Sequence, residues 1–567
     1  MASSVLYDIF VTAVPGPLSL PASLLISMVD TPTEVELKLW VAPEDINAVL
    51  KSPRFAGSLH DPSRETLDSI YFDSKDRFLR GHGLTLRVRH DGEKRVQTIK
   101  SADHGVGLFE RSEWEQAIEN DQPDISGVKD TALGQILTDE VGKELKPVFE
   151  TRIERTAYHL NGNGADIILA IDEGQILAPD SSQPVSEIEL ELRQGNPSDL
   201  FKIARDILDI VPAQLEFKSK PERGYDLVDK TASGAETGYD PELVSGTSAG
   251  RAFALIGRAC LRHLVANVPA MLGRDEIALH QMRVALRRLR AAMSLFSPLT
   301  SDDRLESIKT ELRWLAQELG PARDLDTLLS EVIKPLRKQH ANEPGFASIS
   351  NMFTRKRLMS YRHAQEAVQS ARFRSLVLDT TEWVEAGPWT TSDDPSKRAY
   401  REMPIEIYAA EQLSHRRKQI RRRGRRIGEL NAEQLHRLRI QVKKARYAAD
   451  FFSGIYPGKK SAKQGKKIKS ALMQLQNSLG RLNDIVTHKA LFSDIIANRA
   501  KGLSEEQSRH RAFAAGLIIG DQQAQVQKWR DRARKAYGRF DSAKPFWRAP
   551  GRGIAAPLVP PVAEPPL

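Results

Sequence analysis

Glu34, Glu36 and Lys38 alternate with Val35, Leu37 and Leu39 near the start of the chain. Alternation of this kind puts ionisable side chains on one face of a strand and apolar ones on the other. The same grammar recurs. Thr85, Arg87 and Arg89 alternate with Leu84, Leu86 and Val88, and Val96, Thr98 and Lys100 share one parity. Glu113 and Glu115 flank Trp114, Glu187, Glu189 and Glu191 alternate with Ile188, Leu190 and Leu192, and Lys218 and Lys220 flank Ser219. Any one of these segments reads most simply as an antiparallel strand with a solvated face. The set does not. Some strands carry mainly carboxylates and others mainly cations, and like charges side by side on an open face repel. Turned inward around a polyphosphate with a divalent metal, both sets have a use. Carboxylate oxygens hold Mg²⁺ or Mn²⁺, and Arg and Lys hold phosphate oxygens. A closed barrel of about eight strands could enclose such a ligand.

The rest of the chain bounds what can surround that site. At 567 residues it predicts several domains, and 40% hydrophobic with 28% charged residues excludes wholesale disorder. The single cysteine, Cys260, excludes a disulfide framework and any Cys-based metal cluster, and suggests a reducing, cytoplasmic setting. No run of about 18 apolar residues occurs, so no membrane partner is expected. The net charge of +9 hides a division. Residues 1–250 hold 25 Lys and Arg against 43 Asp and Glu, while residues 251–567 hold 58 against 31. An acidic half followed by a basic half predicts two domains, the second with a polyanion as partner.

Residues 1–31 read as a disordered lead or a mis-assigned start, because residues 1–33 lack the Lys or Arg of a signal peptide and Met28 precedes the first patterned segment. Residues 42–50 read as a helix started by Pro43, and residues 199–208 as another with Ser198 as N-cap. Asp172 opens an Asp-Glu-Gly sequence that reads equally as a turn or as a metal ligand. His82 and His104 sit among glycines and read as loop residues. Residues 231–249 form a Gly-, Ser-, Thr- and Ala-rich linker, and residues 541–567 a disordered Pro-rich tail.

Beyond the linker the periodicity turns helical and repeats itself. His280, Arg283, Arg287 and Arg290 share the spacing of His436, Arg439, Lys443 and Arg446, and each set occupies one helix face. Met282, Leu286, Leu289, Met293 and Phe296 form an apolar stripe that Leu438, Val442, Ala445, Ala449 and Phe452 match position for position. Each copy continues into a second helix expected to end at Leu319-Gly320 or Leu479-Gly480, followed by Arg323-Asp324 or Asn483-Asp484. Four like charges on one face destabilise a helix unless something neutralises them, so the doubled faces suggest a basic groove. Arg416 to Arg426 holds eight Lys and Arg in eleven residues and reads as an extension of that surface or as a flexible loop. Nucleic acid would see the same charge, but it ranks low as the partner, since no aromatic residues interleave for base stacking.

The first half resembles the CYTH, or triphosphate tunnel metalloenzyme, family. The resemblance is carried by Glu34-Val35-Glu36-Leu37-Lys38 as its ExExK signature, then Tyr71-Phe72-Asp73, Leu79-Arg80-Gly81-His82-Gly83 and Leu86-Arg87-Val88-Arg89. Thr98-Ile99-Lys100, Arg111 with Glu113, Glu187 to Glu191, and Lys218-Ser219-Lys220 before Arg223-Gly224-Tyr225 follow in the family's order. The duplicated helices resemble the CHAD domain, and the pair together is similar to bacterial inorganic triphosphatases. The resemblance implies a multidomain α+β protein: an antiparallel β-barrel tunnel with outer helices over 32–230, then an all-α duplicated helical bundle over 250–540, with repeats at about 250–400 and 401–540.

It also implies roles. Glu34, Glu36, Lys38 and Glu189 would be catalytic. Lys38, Arg87, Arg89, Lys100, Arg155, Lys218 and Lys220 would bind triphosphate oxygens. Glu34, Glu36, Glu113, Asp172, Glu187 and Glu189 would bind Mg²⁺ or Mn²⁺. Arg152 lies on the opposite strand face from Arg155, outside these roles. His280, Arg283, Arg287, Arg290, His436, Arg439, Lys443 and Arg446 would bind polyphosphate. The implied reaction is metal-dependent hydrolysis of inorganic triphosphate. Thiamine triphosphate, nucleoside triphosphates, adenylate cyclisation and a purely polyphosphate-binding role stay open as alternatives.

Overall fold

The computed structural model describes residues 33–547, apart from 56, 58, 93, 102–107, 130, 163, 232–233 and 498–501. The expected lead and most of the expected tail lie outside the described residues. The chain divides into two compact units that meet in sequence at Ala232 and Ser233.

The first unit is built on strands β1 (Thr33–Trp40), β2 (Leu59–Asp73), β3 (Leu84–Asp91), β4 (Lys94–Ser101) and β5 (Leu108–Ile118). Strands β6 (Lys146–Gly162), β7 (Ala165–Ala178), β8 (Ser181–Gln194) and the short β9 (Gln214–Leu215) follow. Their order is β5-β4-β3-β2-β6-β7-β8-β1-β9, and β1 also pairs with β5. Strand β1 therefore has β8 on one side and β5 on the other, and the pairing returns to its start. Closure removes the exposed edges that an open sheet would leave.

The barrel is inverted relative to an ordinary apolar-filled one. Leu37, Leu39, Ile188 and Leu190 are fully buried on the faces opposite Glu36, Lys38 and Glu189. Helix α1 (Pro43–Lys51) and helix α2 (Pro197–Ile210) lie outside and bury Ile46, Val49, Leu200, Phe201, Ala204 and Ile207. Pro43 does start α1. The cap of α2 is Asn196 rather than Ser198. Its backbone N–H donates to the Asp199 carboxylate at 3.0 Å, and Pro197 takes the first helical position.

Two further local readings are corrected. Lys218-Ser219-Lys220 is not a strand. Ser219 caps helix α3 (Lys220–Val228) in a capping box with Glu222, and Pro221 lies in its first turn. Asp172 is not at a turn but in the middle of β7, opposite Arg155 of β6. Two residues on, Gly174 pairs with Ile153 where β6 comes so close that a Cβ would stand 2.0 Å from the Arg152 carbonyl oxygen. Glycine is needed there for backbone approach.

The second unit is helical. The helices used below are α4 (Glu276–Leu295), α5 (Asp303–Leu328), α6 (Ile405–Gly424), α7 (Ala432–Phe452), α8 (Lys459–Ala497) and α9 (Val526–Ser542). The duplication is structural: α4 packs on α5 as α7 packs on α8, and α4 packs on α7. Both apolar stripes are buried, and Phe296 and Phe452, equivalent positions of the two copies, meet edge to face at 5.9 Å. The helices do not end at Gly320 or Gly480. Helix α5 runs on to Leu328 through Pro321, and α8 runs to Ala497. At Gly320 a Cβ would lie 3.0 Å from Arg283 Nη1, and at Gly480 it would lie 3.9 Å from Arg439 Nε. Gly320 leaves room for Arg283 of the facing helix instead of terminating its own, while at Gly480 a Cβ would make only ordinary contact.

Gly174→Ala should destabilise the first unit by about 1–3 kcal/mol, because the clash is with backbone that cannot rotate away. Urea unfolding of the variant against the parent checks this, and an unchanged midpoint would contradict the close approach.

Candidate functional site

Inside the barrel lies a cavity of about 700 Å³. Strand parity brings Glu36 and Lys38 of β1, Ser69 and Tyr71 of β2, Arg87 and Arg89 of β3, and Thr98 and Lys100 of β4 to its wall. Glu113 and Glu115 of β5, Arg155 of β6, Asp172 of β7 and Glu189 and Glu191 of β8 complete the ring, with Lys220 entering from the first turn of α3. The backbone register explains why opposite charges meet. Lys38 lies opposite Glu189, Arg155 opposite Asp172, and Lys100 opposite Glu113.

One side of the cavity is tightly paired. Lys38 contacts Glu189, and Glu36 at 3.0 Å. Arg155 donates to both Asp172 oxygens at 2.6 Å and also contacts Glu189. The Lys220 ammonium touches Asp172 at 2.6 Å, Glu189 at 2.9 Å, and Glu187. Arg223 holds the other Glu187 oxygen at 2.5 Å. Burial alone would raise the Glu189 carboxyl, but Lys220, Lys38 and Arg155 hold it well below the usual range. Burial would likewise raise Asp172, and Lys220 with Arg155 holds it low. Burial would lower the Lys38 and Lys220 ammoniums, yet the surrounding carboxylates raise both.

The other side is cationic in excess. Burial, then the neighbouring Arg87, brings the Arg89 guanidinium down to about 10. Its Nε donates to Ser69 Oγ at 3.3 Å. Glu113 stands 3.1 Å from Lys100 and 3.8 Å from Arg87. Burial would raise the Tyr71 phenol, and Arg87 and Arg89 outweigh it and lower it.

Most of the expected tunnel residues are thus brought together. The Glu34 side chain lies outside the described residues, as do His104 and the Arg111 side chain; the Glu34 backbone pairs with Arg111. Lys218 is not at the cavity wall. It precedes the N-cap of α3, and its ammonium pairs with Asp226 at 2.8 Å. Glu187 lies behind the wall, enclosed by Lys220 and Arg223. Arg152 is exposed beside Glu150 at 3.3 Å. His82 is local structure, its Nδ1 2.7 Å from the Phe78 carbonyl oxygen. Sequence reasoning missed the Arg223 clamp on Glu187 and the wall positions Ser69, Thr151 and Glu222. The period-two run Leu67, Ser69, Tyr71 is the signal that could have found one of them.

Asp172, Glu187 and Glu189 each offer an oxygen within 4.8 Å of one another, and all three are buried. A set of hard oxygen donors without Cys or His suits a hard divalent cation. Lys220 shows that the set accepts a cation.

In the second unit, α4 and α7 bring the two basic faces together. Burial, then Arg287, Arg439, Arg290 and Arg283, brings the Lys443 ammonium down to about 7. Arg283 pairs with Asp324 at 3.0 Å, and Arg287 Nε donates to the Tyr447 hydroxyl at 3.3 Å. Burial, then Arg323, Arg287 and Arg283, brings the His280 imidazole down to about 4. His436 Nδ1 lies 2.8 Å from Asn483 Oδ1. Arg290 is half-buried near Arg313, which together with burial lowers it. Arg446 is less available, since it donates to Gln476 at 2.8 Å, pairs with Asp450 at 3.1 Å and stacks on Tyr447. The Arg416–Arg426 run is not a loop as far as Gly424, where it is the end of α6. Arg416 is buried, Arg417 donates to the Asp541 and Ala543 carbonyl oxygens, and Arg421 pairs with the Asp541 carboxylate, so these three of the run are structural.

With the geometry in view, the chain compares as follows. Residues 32–225 match the CYTH domain and residues 255–493 match the CHAD domain. The inorganic triphosphatase of Haemophilus influenzae is 30% identical over 198 residues, 34% of this chain and 54% of that protein. The chain therefore spans about half the length of this curated relative. The crystal structure of a CHAD domain from the plant Ricinus communis shares 27% identity over 54% of this chain and 96% of its own, with a TM-score of 0.45. A putative adenylyl cyclase from Hippeastrum, described with a dominant triphosphatase activity, shares 18% identity over 34% of this chain and 95% of its own, with a TM-score of 0.28. The first unit is a CYTH domain, a charged antiparallel barrel. A CHAD domain follows it over residues 255–493. Among the described residues no helix is long and apolar enough to cross a membrane.

Lys220→Met should cost the first unit about 3–5 kcal/mol near pH 8, since it leaves buried carboxylates without their shared cation. The parent's Asp172 and Glu189 have depressed values, so their contribution is complete above the unfolded carboxylate range near pH 4 and lost only as pH falls through their folded values. In the variant those values rise, and lowering the pH from 8 to 5 should narrow the gap. Thermal melting of both proteins across that range reads this out. A gap that widens toward acid would contradict the assignment.

Proposed function

We propose that the barrel hydrolyses a triphosphate, with inorganic triphosphate as the preferred substrate, and that the helical unit binds inorganic polyphosphate. The observation that carries this reading is the meeting of carboxylates, three of them buried within reach of one another, with an equal number of cations around one cavity. A pure polyanion binder gains nothing from inward acid groups. The relation to an inorganic triphosphatase supports the choice of substrate, and so does the wall itself. Among the described residues its one aromatic side chain, Tyr71, is buried and stacked on Phe149 at 4.5 Å, and it offers no open platform for a base or thiazole ring.

In this reading Arg87, Arg89, Lys100, Arg155 and Lys38 bind the phosphate oxygens and spread the charge of the leaving pyrophosphate. Phosphoryl transfer asks for such positioning and charge neutralisation more than for covalent help. Water supplies the oxygen that bonds to the terminal phosphorus, the bridging P–O bond breaks toward the pyrophosphate, and the water proton leaves through Glu36 to solvent. Asp172, Glu187, Glu189, Glu36 and, by its strand parity, Glu34 would hold Mg²⁺ or Mn²⁺. That ion would supply Lewis acidity and an ionised water. Glu113 keeps Lys100 and Arg87 in place. No covalent nucleophile is required.

Phosphate release from inorganic triphosphate with Mg²⁺, with Mn²⁺ and with EDTA tests the proposal, beside ATP and thiamine triphosphate. Turnover should depend on the metal and be greatest on inorganic triphosphate. Glu36→Gln and Arg89→Ala should each lower kcat/KM by about 100-fold or more, while binding of polyphosphate by the helical unit persists. No turnover on any of the three, with polyphosphate bound tightly, would make this a binding protein instead.

A further inference from the structure

We propose that docking of a phosphate chain on the helical unit is coupled to uptake of a proton by Lys443. The inference rests on the polyphosphate reading of that unit and adds a regulation to it: the affinity is set by pH in the neutral-to-alkaline range.

The geometry is a convergence of cations from both repeats. Lys443 sits on α7, a helix that packs against α4. From α4, Arg283, Arg287 and Arg290 face it, and Arg439 faces it from its own helix one turn earlier. Carboxylates do not balance them. Asp324 of α5 is engaged by Arg283 at 3.0 Å and is largely exposed. Asp484 of α8 stands by Arg439, and its carboxyl is raised by burial. Helix α6 also packs on α7, and the charged residue it buries is Arg416. His280 lies at the head of α4, facing Arg323, Arg287 and Arg283.

Arginine cannot relieve this crowding, because its guanidinium keeps its proton. Lysine can. Burial and four guanidiniums bring Lys443 down to about 7, so it is half neutral at pH 7 and mostly neutral at pH 8 in the free protein. A bound phosphate chain replaces the repulsion with attraction and restores the charged form. The proton comes from solvent and goes to Lys443 Nζ, and no covalent bond changes. By linkage, the affinity should fall as pH rises through the free-protein value, by about tenfold per unit above pH 8. The two repeats differ here: the matching position of the first copy is Arg287, so the titratable member is confined to the second.

The test uses the full chain and a cyclic metaphosphate, which has no terminal phosphate to titrate. Calorimetric titration at pH 8 in two buffers of different ionisation enthalpy gives the protons taken up per ligand bound. The parent should take up close to one. Lys443→Arg should bind with no uptake and without the alkaline fall in affinity. Lys443→Met should also show no uptake, at lower affinity. Circular dichroism confirms that both variants fold. Binding by the parent without proton uptake would overturn the coupling and leave the polyphosphate reading intact. Uptake that persists in both variants would move it to another group, such as His280, and also overturn it. Absence of binding by the parent even at pH 6 would remove the polyphosphate reading and this inference together.

Discussion

The Lys220 ammonium stands against Asp172, Glu187 and Glu189, and the interior of the barrel depends on that contact. Three carboxylates within 4.8 Å of one another cannot stay ionised out of water unless a cation shares them. The rest of the wall follows from the same demand. Lys38 and Arg155 come from neighbouring strands to the same Glu189, and Arg223 closes the far side of Glu187. Moving an ion from water costs several kcal/mol even after relaxation, so such a set is a poor way to stabilise a barrel. The apolar faces of the strands, covered by α1 and α2, carry the stability. The charges carry the chemistry.

The helical unit meets the opposite problem. Its buried stripes, with Phe296 against Phe452, hold the two copies together and thereby force two cationic faces into one place. Among the described residues no carboxylate set of the tunnel kind lies with them. The charge is relieved in part by Asp324, in part by exposure, and in part by Lys443, the member able to give up its proton. Gly320 belongs to this arrangement, since it lies in helix interior where a glycine costs about 1 kcal/mol. In return Arg283 of the facing helix passes close beside it.

Much of this was legible in the sequence because period two and period 3.6 are strong signals when repeated. The parity of Glu36, Lys38, Arg87, Arg89, Lys100 and Glu189 placed each on one face, and the register then brought them to one cavity. What failed was local. Lys218-Ser219-Lys220 has the alternation of a strand, but Pro221 and Glu222 after Ser219 are the stronger signal, that of a capped helix start. Asp172-Glu173-Gly174 has turn composition, yet here the glycine serves an approaching backbone. Leu319-Gly320 and Leu479-Gly480 look like helix ends for a related reason. At Gly174 and Gly320 the glycine's turn or cap propensity is overridden by a close approach of another element, whereas at Lys220 a local cap decides. The lowering of Lys443 was not legible at all, because it arises from burial and, besides Arg439 of its own helix, from three arginines of another helix.

If both units take phosphate as proposed, they offer it two different kinds of site, and the difference has a thermodynamic consequence. In the barrel an entering phosphate competes for Lys220 and Arg155, which are already engaged by Asp172 and Glu189. Each cation that turns to phosphate releases a buried carboxylate, and a released buried carboxylate needs a new cation. Anion and divalent cation are then bound to favour each other, because each relieves the pairing cost that the other creates, and the coupling must be reciprocal. In the helical unit Lys443 has no such internal pairs to break. An anion there is opposed by its own desolvation, by the missing proton and by exposed or partial pairs such as Arg283 with Asp324, none of which leaves a buried carboxylate cluster that needs a metal. A site that demands its metal suits bond cleavage, and a site that does not suits the holding of a chain.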